Sequence, residues 1–347
     1  MTWRIAVILG GRSSENAISL ASATSVIDAL ERSGNEVVTI EIDRSGQWQL
    51  EPGSKLKTLE PGSKSEAGSR AGSGELERLP GKAVATALTD VDVVFPVLHG
   101  PFGEDGTVQG LLELAGVPYV GAGVAASALC MDKDLFKKVL RDSGLAVARH
   151  IALRAGDAVQ NPFGFPCFVK PARLGSSVGI TKAHDEAELV AAVDLAFRHD
   201  DKVLVEEFLD GIEVEVGVLG NLEPIASVPG QIVPLGHEWY DYASKYDEGG
   251  MELVIPPDLP DDVLEGVQRA AVEAFRVTEC EGMARVDCFV LGGNRVVVNE
   301  LNTIPGFTST SVYAKLFAAS GIPYGELLRR LIDLAVERHE RRSNLVY

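Results

Sequence analysis

The stretch from Met283 to Ser311 constrains the fold of this chain more than any other part of the sequence. Two runs rich in β-branched residues, 284–291 and 295–302, flank the turn sequence Gly292-Gly293-Asn294. A glycine-rich turn between two such runs is a strong signal for a β-hairpin. The sequence therefore predicts two antiparallel strands whose side chains pair across the hairpin.

The predicted hairpin brings four polar side chains onto one face. A loop of even length, centred after Gly293, puts Asp287 opposite Glu300. The same register puts Arg285 opposite Asn302, and all four share one face because side chains alternate along a strand. A loop of odd length would instead place Asp287 and Glu300 on opposite faces.

Two facing carboxylates favour a cation between them. Such a pair lies ~5 Å apart, and at an effective dielectric constant of ~20 the repulsion is about 3 kcal/mol. Carboxylate and amide oxygens are the donors that Mg²⁺ prefers, and Mg²⁺ held by few carboxylates usually also holds phosphate. The hairpin is therefore predicted to bind Mg²⁺ through Asp287, Glu300 and Asn302. The alternative is a solvated polar face with Arg285 as the counter-ion.

Composition narrows the class of protein. A chain of 347 residues is long for one hydrophobic core, so two or three domains are expected. No apolar run is long enough to cross a bilayer, and the N-terminus lacks a signal-peptide pattern, which predicts a soluble, cytoplasmic protein. A net charge of −18 disfavours nucleic acid and anionic membranes as partners. The cysteines lack metal-site spacing and are expected to be buried thiols; they are Cys130, Cys167, Cys280 and Cys288.

Residues 4–34 have the pattern of the first half of a βαβ unit, with an apolar strand, a glycine turn and a helix. Glu15 stands at the helix entrance, where a carboxylate can serve a site or simply stabilise the helix dipole. A later strand delivers His99 to a loop, a common location for sites in α/β folds, although a single histidine there is as often an ordinary loop residue. Residues 44–82 are rich in Gly, Ser, Lys and Glu and are expected to form an exposed, flexible insertion.

A phosphate-binding loop is predicted within residues 165–182. A strand ends in Lys170 and leads to the tip Gly175-Ser176-Ser177, after which a return strand is expected from Val178. The consecutive N–H groups of the tip can surround an anion. The alternative is an ordinary hairpin with a polar tip. A Walker A sequence is absent, and the dinucleotide-like pattern at 121–126 is not associated with the first strand, where a true fingerprint belongs.

A nucleoside site and a lid are predicted further along the chain. A strand ends at residues 206–209, where acidic and apolar side chains together suit an adenine, and Glu213 could accept ribose hydroxyls. The loop 237–246 has four aromatic residues and a lysine in an otherwise polar sequence, which is typical of a lid over a site. The alternative is a loop held by packing of its aromatic residues on its own domain. A helix over about 261–277 is predicted to lead from this region into the hairpin.

Taken in this order, the motifs resemble those of the ATP-grasp ligases, and among them the D-alanine:D-alanine ligases. The resemblance covers nearly the whole chain outside residues 44–82. The motifs are GGRSSENAIS at 10–19, HGPFGEDG at 99–106, MDK at 131–133, KPARLGSSVGI at 170–180, EEFLDGIE at 206–213, YDYASKY at 240–246, ARVD at 284–287 and NELNTIPGFTSTS at 299–311. The chain departs from the family pattern after Glu15, where Asn16-Ala17 stands in place of a basic or histidine residue followed by an acid.

The resemblance implies an α/β fold of three domains, with α+β character in the ATP-grasp part. The implied domains are a Rossmann-like βαβ domain at 1–128, a central ATP-grasp subdomain at 129–209, and a C-terminal subdomain at 210–347 that carries the metal hairpin and the lid 237–246.

The family also implies roles for single residues. The residues implied for ATP are Lys133, Lys170, Ser176, Ser177, Glu206, Glu207, Phe208, Leu209, Glu213, Lys245, Phe289 and Asn299. Two Mg²⁺ ions, replaceable by Mn²⁺, would be bound by Asp287, Glu300 and Asn302. The residues implied for the two amino-acid sites are Glu15, His99, Arg285, Gly306, Ser311 and Val312. The groups implied for catalysis are a hydrogen-bonded set of Glu15, Ser176 and Tyr246, together with Arg285 and the N–H of Gly306.

The implied activity is ligation of two D-alanines to D-alanyl-D-alanine for peptidoglycan synthesis. ATP would activate the first carboxylate as an acyl phosphate, and ADP and phosphate would be released. A cytoplasmic homodimer is expected. Two alternatives remain at this point, a D-alanine:D-lactate ligase and a non-catalytic ATP-grasp protein that binds nucleotide. The motif YDYASKY favours the dipeptide-forming type, and the complete set of metal ligands and phosphate lysines favours an active enzyme.

Overall fold

The computed structural model describes residues 2–51, 85, 87–88, 90–175, 177–235 and 250–346. Fourteen strands and eight helices lie within these residues. The strands are β1 (Arg4–Gly10), β2 (Glu36–Ile42), β3 (Trp48–Glu51), β4 (Val93–Pro96), β5 (His150–Arg154), β6 (Cys167–Pro171), β7 (Thr181–Ala183), β8 (Lys202–Glu207), β9 (Gly211–Gly220), β10 (Ile225–Ala226), β11 (Gly230–Pro234), β12 (Met251–Val254), β13 (Gly282–Leu291) and β14 (Arg295–Asn302). The helices are α1 (Asn16–Arg32), α2 (Thr107–Ala115), α3 (Val124–Met131), α4 (Lys133–Asp142), α5 (Glu186–Ala196), α6 (Asp261–Val277), α7 (Val312–Ala319) and α8 (Tyr324–Ser343).

The first sheet has the order β3-β2-β1-β4, with β1 parallel to both β2 and β4. Residues 5–9 of β1 are completely buried, as expected for a parallel strand covered on both faces. Side chains of one β1 face pack with α1, α7 and α8, and those of the other face pack with α2. The predicted βαβ start is therefore confirmed, and the C-terminal helices help to bury it.

The second sheet is antiparallel, with the order β5-β8-β6-β7, and α5 packs on it. It carries both the lysine strand β6 and the acidic strand β8. These strands are antiparallel neighbours, so Lys170 lies opposite Leu204 and its side chain reaches Glu206. The return strand begins later than the sequence suggested. Residues 177–179 form a turn after the loop tip, and β7 starts at Thr181.

The third sheet has the order β12-β11-β9-β13-β14, with β10 paired to β9. Helix α6 spans the predicted residues 261–277 and buries one apolar face, including Val263, Val267 and Ala271, against this sheet. The β9 and β13 strands pair along ten residues, which makes them the structural centre of this part of the chain.

The hairpin at 284–302, which was predicted to bind metal, pairs Asp287 with Glu300 as expected, but its turn differs from the predicted one. The turn between Leu291 and Arg295 has three residues, so the even-length loop assumed from the sequence is wrong. A β-bulge at Asn299 then inserts one residue into β14, and beyond it Asp287 pairs with Glu300. The extra loop residue and the bulge offset each other, so the two carboxylates face the same side.

The predicted insertion at 44–82 is also wrong at its beginning. Residues 48–51 form β3, which pairs antiparallel with β2, and Trp48 and Leu50 pack against the buried core of the first sheet. The alternation of apolar and polar residues in this short strand overrides the composition around it. The remainder, 52–82, lies outside the described residues. Along the described parts of the chain, no helix is both long enough and apolar enough to cross a membrane. The four cysteines are buried thiols, as predicted.

Candidate active site

One cavity of about 1160 Å³ collects most of the predicted site residues. It is formed where the β1–α1 turn, the ends of β6 and β8, and the β13–β14 hairpin meet. The predicted residues on its wall are Glu15, His99, Lys133, Lys170, Ser177, Glu206, Glu207, Phe208, Leu209, Glu213, Arg285, Phe289, Asn299, Glu300, Asn302, Gly306, Ser311 and Val312. Asp287 is 2% exposed and is not among the lining residues, and Ser176, Lys245, Tyr246 and the lid 237–246 fall in gaps of the described chain. The roles assigned to all of these residues stay predictions.

Two predicted phosphate lysines enter the cavity from different elements. Lys133, at the start of α4, donates from Nζ to the carbonyl of Leu174 at 2.7 Å, beside the Gly/Ser loop. Its Nζ also lies 3.9 Å from Glu300 Oε2 in the hairpin. Lys170, near the end of β6, donates to Glu206 Oε1 at 2.6 Å. The ammonium group of Lys133 therefore stands next to the loop that was predicted to surround phosphate, and Lys170 lines the same cavity.

A third lysine, Lys137, forms a buried ion-pair network with Glu206 and Lys170. Glu206 is 2% exposed, and its Oε2 lies 3.0 Å from Nζ of Lys137 in α4. Burial raises the pKa of Glu206, but the neighbouring Lys137 and Lys170 ammonium groups outweigh that effect and bring the pKa down to about 2. The carboxylate is thus ionised at neutral pH and shared between two lysines.

At the predicted nucleoside end of the cavity, both glutamates have partners within the protein. Glu207 accepts from the backbone N–H of Arg149 at 2.8 Å and from its Nε at 2.6 Å. Glu206 binds two lysines, so the carboxylates of both glutamates are engaged by protein cations, and their predicted contact with the adenine amino group stays a prediction. The ring of Phe208 lies 6.2 Å from that of Phe168 and offers an apolar surface at this end.

The hairpin face carries the predicted metal ligands together with Arg285. The guanidinium donates to both oxygens of Asp287, at 2.7 Å each, and the Asn302 amide donates to Asp287 Oδ2 at 3.1 Å. Arg285 Nε also lies 3.0 Å from Oε2 of Glu215, a fully buried residue that pairs with Asp287 on β9. Glu215, Asp287 and Glu300 therefore form a row across three adjacent strands.

The donor set at the hairpin fits Mg²⁺ by its chemistry. Asp287 and Glu300 are directly paired across the hairpin, and the Asn302 side chain lies two residues further along the same strand and face. Among the described residues, no cluster of three or more His, Cys, Asp or Glu side chains has metal-binding geometry. The hairpin set contains only two carboxylates and one amide, which suits an ion that keeps water and phosphate among its ligands.

The opposite end of the cavity is built around Glu15. This residue is 7% exposed and lies between two glycines of different segments. A Cβ on Gly175 would come 2.9 Å from Glu15 Oε2, and a Cβ on Gly100 would overlap the same oxygen. Glu15 therefore lies against Gly175 of the loop that was predicted to bind phosphate, and its predicted hydrogen bonds with Ser176 and Tyr246 stay predictions. Asn16, the departure from the family pattern, donates from Nδ2 to the carbonyl of Gly11 at 2.8 Å and so holds the glycine turn.

His99 and Glu104 join this end to the segment after β14. The Nδ1 atom of His99 is 2.9 Å from the carbonyl of Ile304, and its buried Nε2 has no hydrogen-bond partner among the described groups. Burial lowers the pKa of His99, against the opposing effect of Glu15, so the ring is neutral at pH 7. Glu104 accepts from the N–H groups of Gly100 and Ile304 at 2.8 and 3.0 Å, and burial raises its pKa to about 8.

The Gly306 loop is held from both sides. The N–H of Phe307 donates to Ser22 Oγ of α1 at 3.1 Å, and the N–H of Thr308 donates to Ser311 Oγ at 3.0 Å. Ser311 is also the N-cap residue of α7 and lines the cavity. These bonds fix the two residues that follow Gly306, which limits the freedom of the loop that carries its N–H.

Four functional positions escaped the sequence reasoning. Lys137 lies one helical turn after Lys133, and that spacing alone could have indicated it. Glu104 lies within the HGPFGEDG motif that was already singled out. Glu215 and Ser22 carried no signal, because their roles depend on the pairing of β9 with β13 and on the approach of α1 to the Gly306 loop.

Comparison with known proteins assigns most of the chain to one family. Residues 4–122 match the family model "D-ala D-ala ligase N-terminus", and residues 139–333 match "D-ala D-ala ligase C-terminus". The D-alanine--D-alanine ligase A of Chromobacterium violaceum is 45% identical over 96% of this chain and 95% of its own length.

Solved structures give the same result. The D-alanine-D-alanine ligase of Coxiella burnetii superimposes with a TM-score of 0.80 at 36% identity, covering 99% of this chain and 96% of its own. The VanG D-Ala:D-Ser ligase of Enterococcus faecalis has a TM-score of 0.79 at 34% identity, with 96% and 100% coverage. The Bacillus anthracis D-alanine--D-alanine ligase complexed with ATP has a TM-score of 0.77 at 27% identity, with 98% and 100% coverage. The ATP-grasp architecture expected from the sequence is therefore confirmed, and the chain belongs to the D-alanine–D-alanine ligase family.

Proposed function

We propose that this chain joins two molecules of D-alanine to D-alanyl-D-alanine and converts ATP to ADP and phosphate. The observation that carries the proposal is the single cavity described above. On one wall it has lysines beside a Gly/Ser loop, on another the acid–amide hairpin, and at its far end Glu15, His99 and the Gly306 loop. A site for a phosphate donor thus opens directly into a site for small amino acids, in a chain of this family.

ATP fits the first part of the cavity. Lys133 and Lys170 supply charge at the Gly/Ser loop, where the phosphates would lie, and the Phe208 end offers an apolar surface for the base. The relative from Bacillus anthracis was crystallised with ATP, which supports the same nucleotide here.

The hairpin is the proposed magnesium site. Asp287, Glu300 and Asn302 would hold two Mg²⁺ ions, with Mn²⁺ able to substitute, and the ions would neutralise charge on the transferred phosphoryl group. In the described arrangement Arg285 binds Asp287 and Lys133 lies near Glu300, so both cations already offset the carboxylates. We infer that these side chains exchange partners when the site is loaded.

The amino-acid end supports activation followed by amide formation. A carboxylate oxygen of the first D-alanine attacks the γ-phosphorus, the bond to the β–γ bridging oxygen breaks, and ADP leaves. The amine of the second D-alanine then attacks the acyl phosphate, loses a proton, and expels phosphate. Arg285 and the Gly306 N–H, which line the cavity, would hold the oxyanion, while Glu15, with Ser176 and Tyr246, would orient the amine and take up its proton.

The remaining family expectations belong to the same proposal. We propose domains at 1–128, 129–209 and 210–347, which separates the three sheets from one another. The lid 237–246 would exclude water from the acyl phosphate, a role that its aromatic residues suit. A cytoplasmic homodimer serving peptidoglycan synthesis is proposed from the family.

The experiment is phosphate release from ATP and Mg²⁺ with a panel of substrates. D-Alanine alone is expected to support turnover, with ADP, phosphate and D-alanyl-D-alanine as products. D-Serine and D-lactate, each added with a low concentration of D-alanine, test the mixed products that related ligases form.

Equal turnover with L-alanine, or formation of AMP and pyrophosphate, would contradict the proposal. A higher kcat/KM for D-serine or D-lactate than for D-alanine as the second substrate would replace it with a mixed ligase. An absence of turnover with retained ATP binding would indicate a non-catalytic protein.

A further inference from the structure

Lys137 is a buried cation that the proposed chemistry does not use. It is 1% exposed, in the middle of α4 on the face that also buries Phe136 and Leu140. Burial lowers the pKa of Lys137, although Glu206 opposes that effect. An ammonium group in such a place is costly unless its surroundings compensate it, and its contacts show what it holds.

The contacts of Lys137 reach two different sheets. Its Nζ lies 3.0 Å from Glu206 Oε2 at the end of β8, and Glu206 in turn binds Lys170. The same Nζ donates to the backbone carbonyl of Asn299 in β14 at 3.1 Å. Lys137 therefore connects the phosphate lysine of the second sheet with the metal hairpin of the third.

Asn299 is the bulged residue of the hairpin. It stands outside the β13–β14 pairing, between the pairs Cys288–Val298 and Asp287–Glu300. Its carbonyl therefore needs a donor from elsewhere, and Lys137 supplies one. The neighbouring N–H of Val298 donates at 2.9 Å to the carbonyl of Ala146, which follows α4, so the strand is held at the bulge from the same side.

The bulge decides where Glu300 points. The bulge shifts the register of β14 against β13 by one residue. Leu291 pairs with Arg295 on the turn side of the bulge, and Asp287 pairs with Glu300 beyond it. Without the bulge, Glu300 would pair with Val286, whose side chain is completely buried in the apolar core. A shift of one residue moves every side chain to the other face, so the Glu300 carboxylate would leave the metal site.

We infer that Lys137 is a positioning residue that fixes the Asn299 bulge and thereby places Glu300 opposite Asp287 to bind Mg²⁺ with the nucleotide. The inference rests on the proposed function for the presence of Mg²⁺ and nucleotide in this cavity. Lys137 itself touches neither substrate nor metal. It acts through the backbone of the residue before a ligand, as groups behind a metal site commonly do.

The test compares Lys137→Met with Lys138→Met. Methionine keeps the length of the buried side chain but removes its charge and its donors. Lys138, the next residue, is half exposed and pairs with Asp134 at 2.9 Å, so its substitution controls for loss of a lysine from α4. The readout is the thermal stabilisation of the protein by ADP as Mg²⁺ is titrated, which requires no turnover. Steady-state kinetics then give KM for ATP and for D-alanine separately.

Lys137→Met is expected to raise the Mg²⁺ concentration for half-maximal stabilisation by about tenfold or more. KM for ATP should rise with it, while KM for D-alanine should change less than twofold. Lys138→Met should match the wild type in all three. A general structural defect would instead lower the melting temperature without changing the Mg²⁺ midpoint, and that result would overturn the inference.

A second background keeps the test decisive if Lys137→Met does not fold. In Glu206→Gln protein the carboxylate that pairs with Lys137 is already removed, so loss of Lys137 does not leave it unpaired. The double variant Glu206→Gln/Lys137→Met is therefore compared with Glu206→Gln alone. A tenfold difference in Mg²⁺ midpoint supports the inference, and equal midpoints overturn it. Failure of the wild type to ligate D-alanine would remove the proposed function while leaving this Mg²⁺ comparison valid. Absence of any Mg²⁺-dependent stabilisation of the wild type by ADP would overturn the inference itself.

Discussion

Gly100→Ala tests the location of Glu15 by a single methyl group. Gly100 has φ +71°, in the left-handed region, and a Cβ built there overlaps Glu15 Oε2. On the other side, a Cβ on Gly175 would lie 2.9 Å from the same oxygen, so the carboxylate has little space to retreat. To restore ordinary contact, Glu15 must move by about 1 Å.

A matched control separates backbone strain from this displacement. Gly116, at the end of α2, has φ +67°, and no atom lies within 4 Å of a Cβ built there. Both substitutions pay the strain of a left-handed alanine, about 1–2 kcal/mol of the free energy of unfolding. Only Gly100→Ala moves a side chain of the proposed amino-acid site.

A displacement of about 1 Å in a positioning group can cost on the order of 100-fold in rate. We therefore expect kcat/KM for D-alanine to fall about 100-fold in Gly100→Ala and less than twofold in Gly116→Ala, with similar melting temperatures. The assay is phosphate release at varied D-alanine and saturating ATP, together with thermal unfolding of both variants. If the two variants lose activity equally, Glu15 does not act where the structure places it.

Two further predictions follow from buried carboxylates. Glu215→Gln weakens the contact that holds Arg285, whose Nε lies 3.0 Å from Glu215 Oε2. A bond to a charged group contributes about 1.5–3 kcal/mol, so kcat should fall ~10- to 100-fold while KM for ATP changes less than twofold. An unchanged kcat in steady-state assays would contradict this role. Glu206 has its pKa lowered to about 2 in the folded protein, below the ordinary 4.5, so its ionised form stabilises the fold above about pH 4.5 and that contribution is lost as the pH falls towards 2. Urea unfolding between pH 5 and pH 2.5 should therefore show a loss on the order of 3 kcal/mol in the wild type that is absent from Glu206→Gln, and parallel curves for the two proteins would refute it.

The hairpin shows what pattern can and cannot predict. The sequence analysis correctly placed Asp287 and Glu300 on one face. That result depends only on the number of loop residues plus the number of bulged residues between the two positions. The three-residue turn and the bulge at Asn299 could not be separated from the sequence, since each shifts the register by one residue and the shifts cancel. The bulge becomes visible only with its partner Lys137, which is distant in sequence.

The buried charged residues were the main feature that the sequence analysis did not predict. Lys137 and Lys138 are adjacent lysines in one helix, yet one is 1% exposed and the other has a half-exposed side chain. Helical spacing indicates which of them shares the face of Lys133, but not that this face is covered by β8 and β14. The two ion pairs of Glu206 were missed for the same reason, because the lysines that engage its carboxylate come from other elements.

The elements themselves were largely readable from local pattern. Helix α6 was predicted at its observed bounds, and the β1–α1 unit follows from an apolar run and a glycine turn. Composition failed at β3, where a four-residue strand lies at the start of a segment rich in Gly and Ser. The packing of α7 and α8 against the first sheet brings residues more than 300 positions apart into one core, and no local pattern contains that information.

The central claim is ligation through an acyl phosphate, and the fate of one oxygen atom tests it most directly. D-Alanine labelled with ¹⁸O in its carboxylate is incubated with ATP, Mg²⁺ and the protein, and the products are examined by mass spectrometry. Attack of the carboxylate on the γ-phosphorus, followed by expulsion of phosphate by the second amine, predicts one ¹⁸O atom in each phosphate released and none in ADP. Unlabelled phosphate beside D-alanyl-D-alanine, or ¹⁸O in AMP with pyrophosphate, would contradict the account.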